Sequence, residues 1–242
     1  MKTQRVRLPV VDPRVETVTA VLQRPDDISG PPVLLTHGAG GDLDAEGLVA
    51  LGDVIAGLGS VVVRANLPYR EGGRRGAPRA ESSVAPFVSL WQSADALLRE
   101  RDLVRAGTPW VLGGKSYGGR VASLALADDP ADGSARPAAA GLLFYGYPLH
   151  PPGKPEKLRV AHWPRIGVPC LFLQGDRDPF STGDLLEQHL TKLPRRATLE
   201  IVQGGDHSLR VTGAASPDGR PRSAVAAIRD RAGAVDEWLR SL

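Results

Sequence analysis

The chain has 242 residues, long enough for one α/β domain with a sizeable core. Its 30 Lys and Arg against 27 Asp and Glu leave a net charge of only +3, and no long basic block occurs, so nucleic acid is not an expected partner. Cys170 is the single cysteine, which excludes an intrachain disulfide and a Cys-cluster metal site; in Val168-Pro169-Cys170-Leu171-Phe172-Leu173 it reads as a small core residue.

Met1 to Pro9 carries charges and no continuous apolar run. No signal peptide is expected, no segment approaches membrane-spanning length, and the cytoplasm is the expected location. Gln4 to Val11 and Val15 to Gln23 alternate as two short strands around a turn at Asp12-Pro13. Arg24 to Pro32 is a polar, Pro-bounded connection. Val33 to Thr36 is a continuous apolar run, as in a strand buried on both faces, and it ends in His37-Gly38-Ala39-Gly40-Gly41. Leu43 to Leu58 has helical apolar spacing, with Gly59 as its stop. Ser60 to Arg64 is another buried strand, followed by a long Arg-, Gly- and Pro-rich loop over Ala65 to Ser83. Phe87 to Val104 is a helix.

Trp110-Val111-Leu112 then reads as a strand running into Gly114-Lys115-Ser116-Tyr117-Gly118-Gly119, and Val121 to Ala127 continues as a helix. That is the setting of a nucleophile elbow, a turn so tight that the positions two before and two after the Ser must lack side chains. Gly119 lets the new helix pack against the sheet. A phosphate-binding P-loop needs a Gly five residues before Gly114, where Pro109 stands. Asp128 to Pro137 is a polar connection and Ala138 to Tyr145 a strand. The Pro-rich Gly146 to Pro169 is too short for a large cap. Cys170 to Leu173 is a strand ending in Gln174-Gly175-Asp176-Arg177-Asp178-Pro179, and Leu185 to Leu193 is a helix. Ala197 to Val202 is the last strand, ending in Gly204-Gly205-Asp206-His207. Ala224 to Leu239 closes the chain as one amphipathic helix. Alternating strands and helices imply one domain, residues 1–242, built on a mostly parallel, doubly wound sheet with helices on both faces. The Gly-rich and charged turns then gather at the carboxyl ends of the strands.

A Ser hydroxyl needs a base within hydrogen-bond reach. His207 suits Ser116, and Asp178 suits His207 as the carboxylate that orients it, in preference to Asp176, read as a brace of its loop, and Asp206, read as a partner of local backbone. The oxyanion hole is expected from the N–H groups of Ala39, with Gly40 second, and of Tyr117. His37 reads as structural, its ring bonding backbone in its own loop. The loop holding Arg70, Arg74, Arg75 and Arg79 either selects an anionic group or is a solvated basic loop. Tyr145, Tyr147 and His150 either line the pocket or serve structure. Lys115 reads as pointing to solvent or pairing with an acid.

Together these stretches resemble the α/β-hydrolase superfamily over nearly the whole chain, including its order Ser…Asp…His. Within it the chain is similar to small, lidless, dienelactone-hydrolase-like proteins. It is closer still to bacterial proteins resembling the hydrolase-like domain of a subunit of the NSL histone acetyltransferase complex. His37 to Gly41, Asn66-Leu67-Pro68-Tyr69 with Gly73-Arg74-Arg75, Tyr147 to Lys154 and Gln174 to Phe180 carry that likeness. The resemblance implies Ser116 as nucleophile, Asp178 as acid and His207 as base; dienelactone hydrolases carry Cys where this chain has Ser116. The expected activity is hydrolysis of an ester or thioester on a small acyl substrate, with no metal or organic cofactor. The alternatives are an acyltransferase or peptidase on the same residues, or a non-catalytic interaction module on the same scaffold.

Overall fold

The strand run Val33 to Leu35 is fully buried because helices cover both of its faces: Leu34 packs on one side of a sheet and Val33 and Leu35 on the other. The computed structural model describes residues 1–74, 76–127, 136–216 and 219–242. Arg75 of the basic loop and residues 128–135 of the connection expected after Ala127 lie outside the described residues. The sheet consists of β1 (Lys2–Pro9), β2 (Thr17–Arg24), β3 (Val33–Thr36), β4 (Val62–Ala65), β5 (Trp110–Lys115), β6 (Ala139–Tyr145), β7 (Cys170–Gly175) and β8 (Ala197–Val202). Their order is β1-β2-β4-β3-β5-β6-β7-β8. β1 pairs with β2, and β2 with β4, antiparallel; every later pairing is parallel.

The helices are α1 (Glu46–Gly57), α2 (Pro68–Glu71), α3 (Val84–Glu100), α4 (Tyr117–Ala127), α5 (Gly183–Leu190), α6 (Ala224–Arg229) and α7 (Ala232–Arg240). Leu48, Leu51 and Ile55 of α1 share one core with Ile228 of α6 and Val235 and Trp238 of α7. Phe87, Leu90 and Leu98 of α3, Val121 and Ala125 of α4 and Leu186 of α5 share the core on the opposite face. Period-two alternation sorts the strands between these cores: Leu142 and Phe144 of β6 face α4, while Leu143 and Tyr145 face α1. The result is the α/β-hydrolase fold without a large cap. The connection between β6 and β7 holds only a short 3-10 turn at Trp163–Arg165. Cys170 is buried, and burial pushes its thiol up to about 12.

Two expectations need correction. The loop Ala65 to Ser83 contains α2 and a 3-10 turn, Ala80–Ser83. The closing helix is two helices, broken at Asp230-Arg231. Arg231 anchors the break by donating to the carbonyls of Ile201 at 2.6 Å and Ala227 at 3.2 Å. The chain then turns so that Trp238 lies over Gly141, where a Cβ would come within 2.8 Å of the indole. One straight amphipathic helix could not meet both constraints.

The elbow glycines are required sterically. A Cβ on Gly114, whose φ is 143°, would stand 1.9 Å from the Thr36 carbonyl oxygen, and one on Gly118 would stand 2.5 Å from it. Gly114→Ala is expected to lower the unfolding free energy by more than about 3 kcal/mol in urea titration; a loss under about 1 kcal/mol would mean that the elbow relaxes around a side chain.

Candidate active site

Ser116 stands between β5 and α4 with φ 49°, a left-handed conformation unusual for a residue with a Cβ. Its own N–H donates to the Tyr145 carbonyl at 2.9 Å and its carbonyl accepts from Arg120 N–H at 3.0 Å, so strand and helix hold it from both sides. The turn presents the hydroxyl at the carboxyl edge of the sheet. Tyr117 is the first residue of α4, where an N–H has no intrahelical acceptor.

His207 reaches Ser116 from the loop after β8. Gly175 permits the crossing: a Cβ there would lie 2.2 Å from the Gly205 carbonyl oxygen, so the loop rests directly on the end of β7. Asp206 tightens the loop by accepting the N–H groups of Ser208 at 2.7 Å and Arg210 at 2.9 Å. That is the local backbone role read for it. His207 Nδ1 lies 2.7 Å from Asp178 Oδ2, and its Nε2 lies 2.8 Å from Ser116 Oγ. An ionised carboxylate only accepts, so Nδ1 carries the proton and Nε2 is left to accept from the serine hydroxyl.

Asp178 is fully buried, and donors meet both of its oxygens. Gln174 Nε2 gives to Oδ2 at 2.7 Å and Phe180 N–H gives to Oδ1 at 2.8 Å. Gln174 is itself fixed, donating to the Ser181 carbonyl at 3.0 Å and accepting from Tyr147 N–H at 2.9 Å. The Phe180 ring lies against the His207 imidazole with centroids 4.3 Å apart. Asp176 is not part of this chain of bonds. The brace expected of it is corrected too: its Oδ1 is buried with no hydrogen-bond partner among the described residues.

The loop after β3 faces the elbow. Ala39 and Gly40 line the same cavity as Ser116, and among the described residues neither Ala39 N–H nor Tyr117 N–H donates to a backbone carbonyl. His37 holds this loop. Its Nδ1 donates to the Gly38 carbonyl at 2.8 Å and its Nε2 accepts from Leu67 N–H at 3.0 Å; burial lowers its pKa. Tyr69 donates to the Ala39 carbonyl at 3.0 Å and meets Tyr117 edge-on. The far end of the loop is tied at Leu43, whose carbonyl accepts from the buried Arg64 guanidinium and whose N–H donates to Asn66 Oδ1 at 2.9 Å.

The cavity over Ser116 measures about 640 Å³. Arg79 lines it, whereas Arg74 is exposed outside it and Arg70 lies 3.5 Å from Asp42. Tyr145, Tyr147 and His150 do not line it. Tyr145 donates to the Ser208 carbonyl, Tyr147 to the Arg159 carbonyl, and His150 bonds the Pro151 carbonyl. Among the described residues Lys115 forms no ion pair with an acid. It is half-buried, donates to Ser208 Oγ at 2.6 Å and lies over the Tyr145 ring; burial lowers its pKa. Sequence reasoning missed Gln174, Phe180, Arg120 and Arg159. A polar amide closing an apolar strand was a signal for Gln174, and the spacing of four residues from Ser116 was one for Arg120. Nothing in the sequence marked Arg159. Among the described residues no group of three or more His, Cys, Asp or Glu could hold a metal ion, and no helix is long and apolar enough to cross a membrane.

Residues 30–230 match the α/β-hydrolase domain family, and the chain belongs to it. Solved structures share the fold along nearly their full length. A dienelactone hydrolase from Anabaena variabilis is 18% identical with a TM-score of 0.66, over 100% of this chain and 99% of its own. A lidless α/β serine hydrolase from Xanthomonas campestris is 17% identical with a TM-score of 0.65, over 100% and 95%. Est1E from Butyrivibrio proteoclasticus is 16% identical with a TM-score of 0.66, over 98% of each chain.

Glu71 links this edge to the outer strands. It accepts from Thr19 Oγ1 and Asn66 Nδ2, each at 2.9 Å, and pairs with Arg7. Burial opposes its charge, but the donors from Asn66, Thr19 and Arg7 outweigh burial and hold its pKa at about 2, below the ordinary 4.5. A depressed carboxyl pKa stabilises the fold above the unfolded value and loses that contribution as pH falls through the folded one. The wild-type protein should therefore lose about 2 kcal/mol between pH 4.5 and 2 that Glu71→Gln does not lose, with allowance for the exposed Arg7 partner. Parallel acid profiles of the two proteins would refute this.

Proposed function

We propose that this chain, as one domain over residues 1–242, is a serine hydrolase of esters or thioesters. The observation that carries the reading is the continuous hydrogen-bonded chain from Asp178 through His207 to Ser116, open to a cavity beside two unengaged N–H groups. Ser116 Oγ attacks the acyl carbonyl while His207 Nε2 takes its proton. Asp178 holds the Nδ1–H tautomer and stabilises the imidazolium. The developing oxyanion is met by the N–H groups of Ala39 and Tyr117, the latter at the N-terminus of α4, where the helix dipole favours negative charge. His207 then protonates the leaving oxygen or sulfur. It next activates a water that cleaves the acyl-enzyme and restores the Ser116 hydroxyl. The reading calls on no metal or organic cofactor.

A fluorophosphonate probe tests this. Wild-type protein should be labelled, and both Ser116→Ala and His207→Ala should lose the label. Asp178→Asn should retain binding but lose about 10³- to 10⁴-fold in acylation rate, because the Asn amide favours the wrong tautomer. Folded wild-type protein that takes no label would favour a non-catalytic interaction module, and labelling that survives in Ser116→Ala would move the nucleophile elsewhere. Acyl transfer to an amine or alcohol in place of water would point to the acyltransferase alternative.

A further inference from the structure

The cavity beside Ser116 holds more positive charge than its lining neutralises. Arg79, Arg120 and Arg159 reach it from three separate segments: the stretch before α3, helix α4, and the connection between β6 and β7. Lys115 adds a fourth cation. The one carboxylate among the lining residues is Glu81, which is spent on Arg120 Nη2 at 2.6 Å and is itself largely exposed. Arg120 Nε is buried without a partner, and among the described residues the Arg159 guanidinium makes no hydrogen bond or ion pair. Burial and then the Arg120 charge lower the Arg159 pKa, yet a guanidinium stays protonated. A partly desolvated, unpaired cation beside a second cation is costly unless an anion completes it.

We propose that this pocket selects a substrate bearing a carboxylate, held by the Arg159 fork with Arg120 beside it. The inference rests on the hydrolase reading and adds the substrate class to it. A planar guanidinium takes a carboxylate through two parallel hydrogen bonds. Arg120 follows Ser116 by four residues, so its backbone stands about one helical turn, ~5.4 Å, from the nucleophile. Arg120, Arg159 and Ser116 line one cavity of about 640 Å³, so a carboxylate held there and the scissile carbonyl belong to one small substrate. It is a spectator: water adds across the ester bond, and the charged group leaves unchanged on its product. Neutral esters of equal length leave Arg159 unpaired and should be poorer substrates.

The test compares 4-nitrophenyl hydrogen adipate with 4-nitrophenyl heptanoate, which places the charge on the acyl side. It also compares 4-acetoxybenzoate with 4-acetoxybenzamide, which places it on the alcohol side. In at least one pair kcat/KM should favour the anionic ester by more than about tenfold, chiefly through KM. Added salt should shrink that ratio, Arg159→Gln should bring it near one, and Arg159→Lys should restore part of it. Ratios near one in both pairs, or a preference that survives Arg159→Gln, overturn the proposal and leave the hydrolase reading standing. Fluorophosphonate labelling of Ser116 without turnover of any of the four esters also overturns it. Absence of both labelling and turnover removes the hydrolase reading and this inference with it.

Discussion

The site depends on one close approach of backbone to backbone. The Thr36 carbonyl at the end of β3 lies where side chains on Gly114 and Gly118 would otherwise be. β3 and β5 are parallel neighbours in register at Thr36 and Gly114. The loop that leaves β3 and the turn that leaves β5 are therefore fixed against each other before any side chain acts. The elbow places Ser116 in a left-handed conformation that costs about 1 kcal/mol or more, and the surrounding sheet pairing makes that conformation the available one. A proposed oxyanion site shared between two segments needs this rigidity, since its donors must be in place before charge develops.

The opposite side of the site is built from a polar network closed to water. Asp178 is stripped of solvent and takes three donors, and Gln174 connects that carboxylate to the backbone of two further segments. Such a network resists piecemeal change. Loss of one donor leaves a buried carboxylate partly unpaired, which costs more than the hydrogen bond itself. Phe180 adds a face against which the imidazole rests, limiting its rotation while leaving Nε2 toward Ser116.

The parts that were legible in the sequence are those where backbone geometry restricts residue type. Buried parallel strands read as unbroken apolar runs, and Val33 to Thr36 matches β3 end to end. The elbow was legible because only glycine fits beside the Thr36 carbonyl. Asp178 and His207 were legible because each follows a strand whose carboxyl end must lie at the common edge. What could not be read depends on how segments far apart in the chain meet. The break between α6 and α7 follows from Arg231 bonding β8 and Trp238 covering Gly141, neither visible in a periodic pattern. Lys115 read as pointing to solvent or pairing with an acid, yet the returning loop after β8 brings Ser208 Oγ within 2.6 Å of it. Arg159 sits in an irregular Pro-rich segment whose path no local rule dictates.

The two histidines at this edge show why position along a strand end does not decide chemistry. His37 and His207 both follow apolar runs, and both stand in glycine-rich loops. His37 has each nitrogen committed to backbone, one giving to Gly38 and one receiving from Leu67, and burial disfavours its charged form. It can neither take nor give a proton without breaking the loop it holds. His207 has one nitrogen committed to a buried carboxylate, and the other turned toward a hydroxyl at the floor of a cavity. The difference lies in what occupies the second nitrogen. A backbone N–H there makes histidine a rivet, and a hydroxyl there leaves it in place for the role of base proposed above.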